Sequence, residues 1–472
     1  MNARIALAAI ACAVLGGCMV GPDYERPSVE VPAAYKEASG WRPAQPQDDA
    51  PRGSWWTIFG DRQLDALLEQ VDVSNQNLRL AEAQYREARA LVRQARSAFF
   101  PTVSGAVSVT RSRAPVVGIE STSHVLSLDA SWEADLWGRI GRTVEASVAN
   151  AQASAADLAA ARLSAQSELA SDYFQLRVVD VAKQLLDDTA SAYSRSLELT
   201  QNRYAVGVAG KVDVVLAQAQ LKSTLAQAID LGVQRAALEH AIAVLVGKPP
   251  AQFALPPESM AIAMPPVPAG LPSQLLERRP DIAAAERRVA AANAEIGVAK
   301  SAFFPALTIP ASAGFQSLSL GDWLSAPSRF WAVGPVLAQT LFDAGLRQAL
   351  TDQAIAAYDA NVAAYRQTVL NAFQAVEDNL AALRILEEEA KVQDEAVQAL
   401  RQSVLLTTNQ YKAGTVSYLG VVTVQAAQLS NERTAVTILG QRLLATVALI
   451  KALGGGWQGL PPDAASAGAP GS

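Results

Sequence analysis

Apolar residues recur three and four apart from about residue 64 to residue 97, the spacing of one helical face. Phe99-Phe100-Pro101 ends that run. The period then shortens to two. Val103, Val107 and Val109 alternate with Thr102, Ser104, Ser108 and Thr110, and Leu126, Leu128, Ala130 and Trp132 alternate with Ser127, Asp129 and Ser131. Pro115 and Gly118 lie between, so the pattern predicts a strand-loop-strand hairpin. Past Gly138 the period returns to that of a helix, without proline from about residue 142 to 204. Such a helix would be roughly 90 Å long at ~1.5 Å per residue. Gly207-Val208-Ala209-Gly210 turns the chain, and a second helix runs to about residue 246.

This whole pattern occurs twice. Ser97-Ala98-Phe99-Phe100-Pro101 returns as Ser301-Ala302-Phe303-Phe304-Pro305, an offset of 204 residues. The offset becomes 207 at Tyr204/Tyr411, Gly207/Gly414, Gln218/Gln425 and Gly247/Gly454, so about three residues are gained between Pro101 and Gly138. In the second copy Leu307, Ile309, Ala311, Ala313 and Phe315 face one way, while Thr308, Ser312 and Gln316 face the other. A fourth strand, about residues 329–341, alternates poorly around Gly334 and Pro335 and is predicted from its repeat partner. Long helices follow over about 346–411 and 418–453, with a break at Gly414. A repeat this long exceeds a solenoid unit and marks duplication of a large structural unit. Strands with small polar residues on one side and apolar ones on the other fit a membrane barrel with a wet lumen, and equally a small soluble β-subdomain. Two hairpins supply four strands, whereas single-chain barrels need at least eight, so a barrel requires several copies in one sheet.

The start of the chain changes the picture of where it resides. Arg4, the apolar run 5–14 and Leu15-Gly16-Gly17-Cys18 have the layout of a secretory signal ending in a lipobox. An ordinary signal with an incidental cysteine is the alternative. Processing there would remove Cys12 and lipidate Cys18, leaving no disulfide framework, zinc cluster or catalytic thiol. Met19 occupies the place where an aspartate would retain a lipoprotein at the inner membrane, which points to the outer membrane. The expected organisation is a signal peptide at 1–17, a lipidated extended leader at 18–63, a first repeat at 64–260, a second at 261–456 and a tail at 457–472. The proline-rich leader is expected to lie on the body, held by Trp55 and Trp56. Hydrophobic content is 50% and net charge −6, which gives no basic face for nucleic acid. Beyond residue 20 no apolar stretch approaches the length of a membrane helix.

Several motifs resemble one family. They are Cys18-Met19-Val20-Gly21-Pro22-Asp23-Tyr24, Trp55-Trp56 through Phe59-Gly60-Asp61, and Leu276-Glu277-Arg278-Arg279-Pro280-Asp281-Ile282. Both Ser-Ala-Phe-Phe-Pro copies, Trp132-Glu133-Ala134-Asp135-Leu136-Trp137-Gly138-Arg139 and Tyr418-Leu419 join them. The chain resembles the outer-membrane efflux lipoproteins of the TolC-like superfamily, the outer membrane factors of tripartite multidrug efflux systems, in the NodT-type branch. The resemblance implies a mainly α protein with a β-barrel part, a tandem-duplicated protomer of a trimeric α/β barrel. Three protomers would share a 12-stranded outer-membrane β-barrel and a long periplasmic α-helical tunnel. It implies a passive exit duct for drugs or other small toxic compounds, partnered by a periplasmic adaptor and a proton-driven inner-membrane pump. The exit duct of an ATP-driven protein exporter is the near alternative. A structural lipoprotein with a coiled-coil stalk is a more distant one, which the alternating strands oppose.

By the same resemblance the helical tips form the adaptor-docking periplasmic gate: Gly207, Val208 and Gly210 in the first, Lys412, Gly414, Val416 and Ser417 in the second. Relatives often carry an aspartate two residues after the second-tip glycine, where Val416 and Ser417 stand here. An acidic gate ring therefore does not carry over, and packing and hydrogen bonds are expected to hold the gate. Asp213 is expected to cap a helix rather than charge the gate. Pro280 and Asp281 read as a helix start, and Glu387-Glu388-Glu389 as a solvated helix face. Gly454, Gly456 and Gly459 match a dinucleotide fingerprint in spacing only, since they trail a helix and precede Pro461-Pro462. His124 and His240 have no second ligand near them in sequence. The chain is thus expected to be no enzyme and to need no cofactor or metal, apart from covalent lipid on Cys18.

Overall fold

A computed structural model describes residues 19–38, 54–113, 120–258 and 279–455. Cys18, the signal segment and the tail lie outside these residues, as do Pro115, Gly118 and Arg278. Among the described residues the first half comprises α1 (Arg62–Ser74), α2 (Gln76–Ser97), β1 (Thr102–Arg113), β2 (Glu120–Ala134), α3 (Arg139–Ala205) and α4 (Lys211–Leu245). The second comprises α5 (Pro280–Ser301), β3 (Ala306–Ser317), β4 (Arg329–Val333), β5 (Val336–Ala338), α6 (Leu346–Lys412) and α7 (Tyr418–Ala452). Equivalent helices match in length: 22 residues for α2 and α5, 67 for α3 and α6, 35 for α4 and α7. Each long helix starts from a left-handed glycine, Gly138 (φ 74°) or Gly345 (φ 90°).

Two sequence expectations are corrected. The helix expected to be continuous over 64–97 is two helices, because Asn75 leaves the helical region at φ −64°, ψ 124°. Its side-chain oxygen accepts from the backbone N–H of Asn77 and Leu78, capping α2, while its amide donates to the Leu245 carbonyl at 2.8 Å. The fourth strand is two short pieces, β4 and β5, both paired with β3 and parted at Gly334-Pro335. Proline lacks the N–H that a continuous ladder needs there.

The repeated Ser-Ala-Phe-Phe-Pro turn has the same work in both halves. In each, three successive backbone N–H groups close the helix end onto residues three back. The Phe99 carbonyl then accepts from Trp132 Nε1 (2.9 Å), and the Phe303 carbonyl from Gln339 Nε2 (3.3 Å). Trp132 and Gln339 are themselves repeat partners at the 207 offset. The motif thus fixes where helix hands over to sheet.

The sheet runs β1-β2-β3-β4 and is antiparallel throughout. Pairing puts Val107, Leu126 and Phe315 on one face, with Leu128, Ala313 and Trp331 beside them. The other face carries Ser104, Asp129 and Ser312 in one row, with Thr102 and Ser131 in the next. The apolar face is exposed, Trp331 to 79% and Val107 to 67%, an arrangement suited to hydrocarbon rather than water.

The main core is a belt where the middle of α3 and α6 meets α1 and the C-terminal ends of α4 and α7. Leu64, Leu68 and Val71 of α1 meet Leu169, Tyr173 and Phe174 of α3, and Val369, Val376 and Leu380 of α6 join Leu443 and Leu449 of α7. Each such buried side chain is worth about 1.5–3 kcal/mol. Among the described residues α7 is apolar and long enough to cross a membrane, yet half of its most apolar window is buried within the fold. Its hydrophobicity serves helix packing. Trp55 and Trp56 are buried as expected, with Trp55 Nε1 donating to Gln166 and Phe59 packed 4.7 Å from Phe174. The leader residues 19–38 also lie on the body. Arg142 binds Asp23 at 2.8 Å, Tyr24 donates to Glu286, and Glu37 pairs with Arg384 at 2.8 Å.

Candidate functional site

The two helical hairpins end in tips of the same backbone design. Gly207 (φ 76°) and Gly414 (φ 79°) each adopt the left-handed conformation that closes the preceding helix. Val208 and Ala209 then donate to the Arg203 carbonyl, and Thr415 to the Gln410 carbonyl. Gly210 and Ser417 occupy the N-cap positions of α4 and α7. Asp213 takes part in the capping, though as the third residue of α4 rather than as its cap: its carboxylate accepts from the Gly210 N–H at 3.3 Å. Val206, Val208 and Val212 are well exposed, so the first tip presents an apolar surface. Val416 is half-buried against Gly420, where an added Cβ would approach its Cγ1 to 2.8 Å.

The structure brings the two tips together through residues that sequence reasoning did not select. Arg203, near the end of α3, donates from Nη1 to the Lys412 carbonyl (3.1 Å), and its guanidinium lies 4.8 Å from the Tyr411 ring centroid. Tyr411 meets Tyr418 at 5.3 Å, and the Tyr418 hydroxyl shares a 3.2 Å hydrogen bond with Ser196. Both tyrosines are buried among Ala217 and Val421. Burial pushes the Tyr418 phenol above its usual range, against the lowering effect of the Ser196 hydrogen bond.

A signal for this lock did exist in the repeat. The 207 offset aligns Tyr204 with Tyr411 and Lys211 with Tyr418. At the first tip Lys211 sits over the exposed Tyr204 ring (5.5 Å), and at the second the same pair of positions is a buried tyrosine couple. Gly207, Val208 and Gly210 stay on the first tip and do not join that couple. Lys412 contributes its backbone carbonyl, while Gly414, Val416 and Ser417 shape the turn.

Among the described residues no group of three or more His, Cys, Asp or Glu side chains could hold a metal. His124 lies on β2, 5.8 Å from the Trp323 ring, and His240 lies on α4. Asp281 accepts from both Nε and Nη2 of Arg279 beside the N-terminal Pro280 of α5, a structural arrangement. Glu387, Glu388 and Glu389 are exposed on α6.

A sheet with one apolar and one hydroxyl-rich face, carried on two very long helical hairpins, defines the subunit of a membrane channel. Comparison with known proteins agrees. The family model described as outer membrane efflux protein matches residues 67–248 and 271–455, and the chain belongs to that family. A Pseudomonas putida protein, the probable efflux pump outer membrane protein TtgC, is 32% identical over 458 residues, 95% of each chain. The cation efflux system protein CusC of Escherichia coli is 30% identical over 94% of this chain and 97% of its own. The solved structure of the outer-membrane channel OprN superposes with a TM-score of 0.87 at 32% identity, covering 93% of this chain and 100% of its own. The protein is an outer-membrane efflux channel of mainly α fold with a β-barrel part.

Proposed function

We propose that this chain forms the trimeric exit duct of a tripartite efflux system, taking drugs or other small toxic compounds from a periplasmic adaptor and a proton-driven inner-membrane pump. The observation that carries the reading is the sheet, apolar on one face and polar on the other, with too few strands to close alone. Three copies would close it at twelve strands and set their helical hairpins side by side as a tunnel. The duct has no energy source of its own and performs no catalysis. Covalent lipid on Cys18 would add an anchor beside the barrel, consistent with Met19 lying against Gly138 at the sheet-to-helix junction. The tips, including Gly207, Val208, Gly210, Lys412, Gly414, Val416 and Ser417, would be the periplasmic gate and the adaptor's docking site.

A photo-crosslinker at Lys412, whose side chain is exposed, tests the reading in cells. Capture of an adaptor belonging to a proton-driven pump is the expected result. Capture of an adaptor from an ATP-driven protein exporter would move the function to secretion. An assembled, gel-shifting trimer that captures no adaptor would overturn the docking assignment.

A further inference from the structure

The polar face of the sheet carries little charge. Among the described strands, positions on that face hold Thr102, Ser104, Ser127, Ser131 and Ser312, and the ionisable residues there are Asp129 and Glu133. Glu133 is neutralised: Arg139 Nε and Nη2 reach its two oxygens at 3.0 and 2.6 Å. Asp129 is not. Its Oδ2 accepts from the Ser127 hydroxyl at 2.7 Å, and among the described residues no cationic side chain pairs with it. The charges Arg111, Arg113, Glu120 and Arg329 all fall on the opposite parity, with Arg111 and Glu120 paired at 2.6 Å.

We propose that Asp129 gives the barrel lumen a preference for cationic solutes. The inference rests on the exit-duct reading, in which three copies repeat Asp129 around one lumen. Twelve strands ~4.8 Å apart and tilted ~40° close at about 24 Å across the backbone. A solute on the axis is then about 10 Å from each carboxylate. That distance is about one Debye length in 0.1 M salt and well inside the ~30 Å of 0.01 M salt. The ring therefore acts on every permeating ion in dilute salt and weakens as salt rises. It also places fixed negative charge in the barrel, far along the chain from the second tip, where Val416 and Ser417 supply none.

Reversal potentials of the full-length assembled channel in planar bilayers, under a KCl gradient, test this. The expected wild-type result is a cation preference that is steep in dilute KCl. Asp129→Asn should reduce the cation-to-anion permeability ratio roughly threefold in dilute salt, with single-channel current retained. Ser312→Lys, which sets an ammonium beside Asp129 in the same row, should do likewise and decides the matter if Asp129→Asn does not assemble. An unchanged reversal potential in the assembled variants, or no cation preference in the wild type, would overturn the assignment. A protein that inserts but conducts nothing even when Arg203→Ala releases the tip lock would instead overturn the exit-duct reading.

Discussion

Asp180 on α3 accepts from Arg177 Nη1 (3.0 Å), Arg235 Nε (2.8 Å) and the backbone N–H of Glu258 (3.3 Å). The same two arginines donate to the Pro256 and Leu255 carbonyls, so this carboxylate pins the segment leading into the second half. Its side chain is 3% exposed and that of Arg177 is fully buried. Asp180→Ala would remove the carboxylate that both guanidinium groups share, leaving Arg177 with the more distant Glu258 (3.6 Å) and Arg235 with Glu239 (3.4 Å), and should cost about 3 kcal/mol, read by thermal unfolding of the assembled protein. Asp172, one turn after Glu168, behaves in the opposite sense. Burial first, and the Glu168 charge second, push its carboxyl up to about 6. A raised carboxyl pKa favours the neutral form in the fold, so the penalty is absent below pH ~4, grows between pH 4 and 6, and is complete above that. Asp172→Asn should therefore stabilise the protein at pH 7, by about 1 kcal/mol after solvent screening, and leave it unchanged at pH 4. At the tips, Arg203→Ala removes one hydrogen bond and one cation–π contact, together about 1–3 kcal/mol. If the tip lock holds a gate, this variant should admit roughly tenfold more of a large antibiotic than the outer membrane normally passes, and Arg203→Lys should recover part of the block.

At the level of elements, β2 and β3 leave no room for a side chain at Gly314, where an added Cβ would come within 2.0 Å of the Leu126 carbonyl. Gly314→Ala should therefore disrupt the one junction that joins the two hairpins, and the heat-modifiable band of an assembled barrel should be lost from gels. Asn75→Ala should cost about 1–2 kcal/mol, since it removes the α2 cap and leaves the buried Leu245 carbonyl without its donor. These two residues also show what the sequence conveyed. The long helices were legible from their spacing and from the glycines that end them, and the polar and apolar faces of β1 to β3 from plain alternation. Asn75 was not, because an uninterrupted apolar period masks a residue that caps a helix without disturbing the face. The lock at Arg203, Tyr411 and Tyr418 left only one mark, the exchange of Lys211 for Tyr418 at aligned repeat positions, because it joins residues of different repeats whose local patterns are ordinary. Val416 and Ser417 were legible only as a missing acid; what replaces it, a valine packed on Gly420, needed three dimensions.

Taken whole, the molecule is two copies of one plan fastened by features that the plan does not contain. The helices keep their lengths between the halves, while the tips and the fourth strand differ. The leader is one such fastener, with the backbone N–H groups of Lys36 and Glu37 bound to Glu377 and the Glu37 carboxylate bound to Arg384. These partners are 340–347 residues apart in the chain. That separation sets a timetable. At about 5–20 residues per second, the ribosome completes Arg384 roughly 20–70 s after Glu37. The segment at Lys36 and Glu37 must wait unlatched until Arg384 exists, long after Asp23 upstream could meet Arg142, and its docking belongs to the late events of maturation rather than the first.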